Sequence, residues 1–85
     1  MKTEAEILER IRETLVNDFE LPAGKITPEA RFFEDLDLDS IDAVDLIVRL
    51  QNETGLVVKA EDFKAIRTIG DLVAVLARLI AERGK

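Results

Sequence analysis

The chain predicts an all-α fold: a small antiparallel four-helix bundle of three longer helices and one short one, with a long helix I–II loop. Three observations lead there. Apolar residues recur at helical spacing in three long segments. Each long segment opens on a capping residue and closes near Gly or Pro. The one short strand-like segment has no partner to pair with. At 85 residues, with 47% hydrophobic and 35% charged content, residues 1–85 read as a single small folded domain with one modest core.

Helix I starts from the capping pair Thr3 and Glu6 and carries Ile7, Leu8, Ile11, Leu15 and Phe19 on one side. It is expected to span about Glu4 to Asn17, before Leu21-Pro22-Ala23-Gly24 breaks the pattern. In the long loop, Thr27-Pro28-Glu29 reads as a helix start, with Thr as cap and Pro at the first helical position. Phe32, Phe33 and Leu36 follow as apolar anchors, and the segment reads as a helical turn pinned to the core by at least one Phe. Helix II begins at Ser40 or Ile41, where a hydroxyl reads first as a cap, and ends near Thr54 with Gly55 as its stop. Leu56-Val57-Val58-Lys59 is extended or coiled. Ala60 to Ala65 forms a brief helix III with Phe63 as its buried residue. Thr68 with Asp71 opens helix IV, which carries Ile69, Leu72, Val73, Leu76, Leu79 and Ile80 and ends around Glu82 to Gly84.

Charge and composition narrow the function. A net charge of −6 disfavours nucleic acid and anionic membranes and favours basic protein partners. Met1-Lys2-Thr3-Glu4 does not read as a signal peptide and no apolar run is long enough for a bilayer, so the cytoplasm is the expected compartment. The chain has no Cys and no His. It therefore lacks a thiolate nucleophile, sulfur-ligated metal and the commonest general base near neutral pH. If it handles reactive groups, the chemistry is borrowed.

Helix II has more apolar surface than one core face needs. Ala43, Leu46, Ile47 and Leu50 define one stripe; Ile41, Val44 and Val48 define a second, roughly 140° away at about 100° per residue. Either helix III or the loop covers the second stripe, or it stays exposed as a docking surface rimmed by Asp39, Asp42 and Asp45.

From Glu34 to Asp45, six of twelve residues are acidic, none is basic, and Ser40 sits among them. Asp35, Asp37 and Asp39 fall at the first, third and fifth positions of a calcium loop. Ser40 then stands where its turn needs Gly, and Leu46 where it needs a bidentate Glu. A hydrolase nucleophile at Ser40 lacks both a Gly-x-Ser-x-Gly elbow and a His. Phosphorylation would set a dianion among carboxylates. An attached arm projecting from Ser40 suits the site better.

Asp39-Ser40-Ile41-Asp42 resembles the Asp-Ser-Leu motif of acyl carrier proteins, with Ile for Leu. Ile26 to Leu36 is similar to the loop before that motif in bacterial members. Ala43-Val44-Asp45-Leu46 resembles their helix II start, and Ile66 to Leu72 their approach to helix IV. The resemblance implies that Ser40 carries a 4′-phosphopantetheine arm, transferred from coenzyme A by a phosphopantetheinyl transferase. Acyl groups would ride on the arm's thiol as thioesters. It further implies that Asp39 and Asp42 help present Ser40, and that Ile41, Val44, Asp45 and Val48 face partners. Those partners would be acyl-transfer, synthase or ligase enzymes of fatty-acid or related lipid and polyketide biosynthesis, with basic docking patches. Leu46, Ile47, Leu50 and Phe63 would line the space an acyl chain enters while also forming core. The expectation is a monomeric carrier with no catalytic residue and no metal ligand. A peptidyl or aminoacyl carrier is the near alternative; an acidic interaction or calcium-binding module without a prosthetic group is the distant one. Asp37 stands where the family commonly has Gly, Thr54 where it often has Phe, and Lys59 where it often has Pro. Arg49, Gln51 and Asn52 thin the acidity of helix II, hinting at a specialised carrier.

Overall fold

The computed structural model describes residues 3–83. Met1, Lys2, Gly84 and Lys85 lie outside the described residues, as do the expected limit of the last helix at Gly84 and the first two residues of the signal-peptide reading. Thr3 caps α1 (Glu4–Phe19), its hydroxyl accepting the Glu6 amide at 3.2 Å. Ile7, Ile11 and Leu15 then fall on one side and are fully buried. The helix runs past the expected Asn17 to Phe19. Glu20 ends it in a left-handed conformation (φ 56°), which turns the Leu21 amide back onto the Leu15 carbonyl at 3.2 Å.

The loop that follows is ordered by backbone contacts from far along the chain. After a single 3-10 turn at Ala23–Lys25, the Ile26 carbonyl accepts a hydrogen bond from Arg12 at 2.9 Å. The turn expected from Thr27-Pro28-Glu29 forms and goes no further, closed by the Ala30 amide on the Thr27 carbonyl (3.0 Å). The reason is competition for backbone partners. The Phe32 amide donates to the Arg67 carbonyl (3.1 Å) instead of a local one. The Pro28 and Ala30 carbonyls accept the Gly70 and Ile69 amides at 2.8 and 3.0 Å. Arg31 and Thr68 thereby form an isolated antiparallel bridge, and no strand forms among the described residues. Phe32, Leu36 and Leu38 fall into the core from this loop, while Phe33 stays about half exposed.

The second helix, α2 (Ser40–Thr54), has the expected extent and stops at Gly55 (φ 75°). Leu56 to Lys59 is not a strand: the Val58 amide bonds the Gln51 side chain at 2.7 Å and the Leu56 amide the Thr54 hydroxyl at 3.2 Å. The short α3 (Ala60–Ala65) also has the expected span, but Phe63 is only partly buried and no residue of α3 is fully so. Six residues give too little length to turn one face wholly inward. Thr68 and Asp71 exchange hydrogen bonds of 3.1 Å at the head of α4 (Ile69–Arg83). Packing of α1 against both α2 and α4 gathers Ile7, Ile11, Leu15, Leu46, Leu50, Leu72 and Leu76 into one core. The protein is a small all-helical bundle.

Candidate functional site

Ser40 is not the cap of α2; Asp39 is. The Asp39 carboxylate accepts the Asp42 amide at 2.8 Å, and the Asp42 carboxylate accepts the Asp39 amide at 3.4 Å. This reciprocal box satisfies two of the four amides that a helix start leaves without partners. The two left over belong to Ser40 and Ile41. Ser40 is therefore the first helical residue, its side chain exposed and without a hydrogen bond among the described residues. The amides around it carry the positive end of the helix dipole.

Just before the box, Asp37 adopts a left-handed conformation (φ 56°), the backbone that a Gly would take most readily. Asp tolerates it better than most residues. The turn before Ser40 thus keeps a glycine-like geometry without the glycine. Leu36 and Leu38 on either side are buried, and the Leu38 amide is fixed on the Phe32 carbonyl at 3.0 Å.

The acidic stretch is less uniform than its sequence suggests. Arg31 bonds the Asp35 carboxylate and pairs with Glu34, and the Arg31 guanidinium holds the Asp35 carboxyl below the usual carboxylate range. Asp39 and Asp42 are occupied with the cap, and Asp45 pairs with Arg49 at 3.2 Å. Among the described residues no group of three or more acidic side chains is placed to hold a metal ion.

The two stripes of α2 separate cleanly. Ala43, Leu46, Ile47 and Leu50 are buried, whereas Ile41 is 78% exposed, Val44 49% and Val48 43%. Neither α3 nor the loop covers the second stripe, which begins one residue after Ser40. Of the four residues expected to line an acyl-chain space, Leu46, Ile47 and Phe63 surround one small apolar cavity. Leu50 is not among its walls; it lies within the core, 1% exposed, one turn further along α2. Phe32, Phe33, Ala43 and Ile66 complete the lining; the sequence did not assign them to it, because three of them come from segments without helical periodicity. The cavity measures about 10 Å³, room for no more than a single water.

A small helical bundle that offers one free hydroxyl at a helix start, with neither His nor Cys to act on it, has the makings of a carrier of groups handled by other proteins. Comparison with known proteins agrees. Residues 9–76 match the family model described as the phosphopantetheine attachment site. The chain is 52% identical over 79 residues to acyl carrier protein 2 of Ralstonia nicotianae, covering 93% of this chain and 98% of that one. It is 38% identical over 76 residues to the acyl carrier protein of Saccharopolyspora erythraea, covering 89% of this chain and 80% of that one. Among solved structures, the acyl carrier protein of Thermotoga maritima shares the fold with a TM-score of 0.82 at 23% identity, over 93% of this chain and 92% of that one. The acyl carrier protein of Enterococcus faecalis gives 0.73 at 28% identity, over 89% and 96%. The chain belongs to the acyl carrier protein family.

The prosthetic group of such a carrier is 4′-phosphopantetheine. The residues at the head of α2 fit it. Were Ser40 to carry it, the two amides that the capping box leaves free, at the end of a helix that favours an anion, would be the groups available to its phosphodiester. The neighbouring Asp39 and Asp42 carboxylates are each turned to an amide of the box.

Proposed function

We propose that Ser40 is the attachment residue for 4′-phosphopantetheine and that the chain works as one non-catalytic domain, a cytoplasmic monomer. It is loaded by a phosphopantetheinyl transferase and then presented to acyl-transfer, synthase or ligase enzymes of fatty-acid or related biosynthesis. The observation that carries this reading is the exposed, unbonded Ser40 side chain at the first position of α2, with free amides beside it. In the loading step the Ser40 oxygen bonds the phosphorus next to pantetheine in coenzyme A. The pyrophosphate link breaks, the nucleotide leaves, and the hydroxyl proton passes to the transferase. The bound group supplies a terminal thiol on which an acyl group is held as a thioester.

The chain's own residues present that group. Asp39 and Asp42 fix the backbone around Ser40 through the capping box and supply negative charge for a basic partner. Ile41, Val44 and Val48 supply the apolar contact. Full burial of each brings about 1.5–3 kcal/mol, of which the isolated fold leaves most unrealised at Ile41 and about half at Val44 and Val48, for an interface to realise. Leu46, Ile47 and Phe63 are the walls an acyl chain would part, since the cavity between them holds no chain as it stands. The missing Cys and His suit a protein that imports its reactive sulfur and leaves catalysis to partners. Among the described residues no helix is long and apolar enough to cross a membrane.

The test is intact mass after incubation with coenzyme A, Mg²⁺ and a broad-specificity phosphopantetheinyl transferase. One phosphopantetheine increment is expected on the chain and none on Ser40→Ala. An increment that persists in Ser40→Ala overturns the assignment.

A further inference from the structure

Arg49 lies one turn beyond Asp45 on α2, at the rim of the exposed stripe. Its Nε donates to the Asp45 carboxylate at 3.2 Å, and its terminal nitrogen pairs with Asp18 of α1 at 3.3 Å. The guanidinium also stands 5.7 Å from the centroid of the Phe19 ring. An isolated pair one turn apart on a helix surface is weak, and its arginine swings aside when another cation approaches. Arg49 is restrained from the other helix. Moving it off Asp45 also disturbs Asp18 and a cation–π contact.

The consequence is a short acidic face. Asp39 and Asp42 stand at the Ser40 end of α2. Asp45 is matched by a fixed cation, and Gln51 and Asn52 carry no charge. Glu53, near the far end, is paired with Arg10 of α1 at 3.8 Å. A basic patch laid along the whole helix would meet Arg49 with like charge, and such a contact turns partners away as effectively as an attractive one draws them.

We propose that Arg49 is a specificity-determining residue. It confines the charged docking surface to the first turn of α2, favouring proteins whose cations reach only Asp39 and Asp42 beside an apolar contact for Ile41 and Val44. It disfavours those whose basic patch runs the length of the helix. This rests on reading α2 as the docking surface, and the experiment separates the two.

Loading by a broad-specificity phosphopantetheinyl transferase is followed as kcat/KM, at low and high ionic strength. The variants are Asp42→Asn, Asp45→Asn, Arg49→Ala, Arg49→Lys and the double variant of Asp45→Asn with Arg49→Ala, each checked for an unchanged helical melt. Asp45→Asn is expected to be nearly silent while Arg49 is present, and to slow loading about two- to fivefold in Arg49→Ala. Arg49→Ala alone should speed loading by a similar factor at low salt, and Arg49→Lys should retain much of the wild-type behaviour. Asp42→Asn should slow loading in either background. If Asp45→Asn slows the wild-type chain as much as Asp42→Asn does, or is silent in both backgrounds, the role given to Arg49 is overturned while α2 remains the docking face. If neither aspartate matters in any background, the docking reading falls and the Arg49 proposal falls with it. The Ser40 mass increment is unaffected by either failure.

Discussion

Asp39 and Asp42 exchange hydrogen bonds across the first turn of α2, at 2.8 and 3.4 Å, and Ser40 between them takes no part. The same two residues thus have a structural duty and a proposed recognition duty, and substitution can separate them. Asp39→Ala removes the cap and should cost about 1 kcal/mol. Asp39→Ser keeps a capping oxygen and loses the charge, so it should melt close to the wild type yet be loaded more slowly by a basic transferase at low salt. Equal loading of Asp39→Ser and wild type would leave Asp39 as a cap alone. Thermal melts and loading rates on the same samples make the comparison.

Gly70 is the point at which the long loop is locked to α4. Its amide donates to the Pro28 carbonyl at 2.8 Å, and a Cβ built on it would stand 2.9 Å from that same oxygen, a backbone atom with little room to move. Gly70→Ala should therefore destabilise the protein by about 1–3 kcal/mol through overpacking. The loss should be local as well as global, with faster amide exchange at Phe32 and Ile69, whose hydrogen bonds flank the contact. Unchanged exchange at both amides would show that the loop is held by its side chains rather than by this backbone seam.

Helix positions were legible in the sequence where their signals are local. The spacing of Ile7, Ile11 and Leu15, the stop at Gly55 and the Thr68–Asp71 pair each depend on residues within a turn or two of one another. What was illegible depended on distant partners. The Thr27-Pro28 motif reads as a turn and forms one, but nothing near it tells that Arg67, Ile69 and Gly70 claim the surrounding backbone groups. The cap of α2 was off by one residue because Asp and Ser are nearly equal capping residues. Of the candidate site, the place of Ser40 at the head of α2 and a second apolar stripe from Ile41 to Val48 could be read from sequence, but not that the stripe is uncovered. The i,i+4 spacing of Asp45 and Arg49 was readable too, but nothing local tied Arg49 to Asp18 and Phe19.

Asp37 offers a test of backbone strain beside the site. Its φ of 56° costs an ordinary L-residue roughly 1–2 kcal/mol, less for Asp, and costs Gly little. Gly gives back part of that gain through its freer unfolded chain. Asp37→Gly should leave stability unchanged or raise it by up to about 1 kcal/mol, whereas Asp37→Val should lower it by at least about 1 kcal/mol. Asp37→Asn removes the charge while keeping a residue that accepts the left-handed region, so its melting temperature isolates the electrostatic share. If Asp37→Val melted like the wild type, the turn before Ser40 would be free to adopt another conformation.

Asp71 should make stability depend on acid in a defined direction. Its carboxylate accepts the Arg67 and Thr68 amides at 3.0 and 3.1 Å, and these bonds hold its pKa below the ordinary value of 3.8. The folded state therefore binds the proton less readily than the unfolded chain does. The stabilisation is fully present above the unfolded pKa and is lost as pH falls through that value and on through the lower folded one. Asp71→Ala should destabilise by about 0.5–2 kcal/mol at pH 7, the usual range for losing a helix cap. The gap between variant and wild type should be flat from neutral pH to about pH 5, then narrow progressively in more acid solution. Urea unfolding of both proteins across that range measures it. A gap that stayed constant into strong acid would mean that the charged carboxylate is not what holds the head of α4.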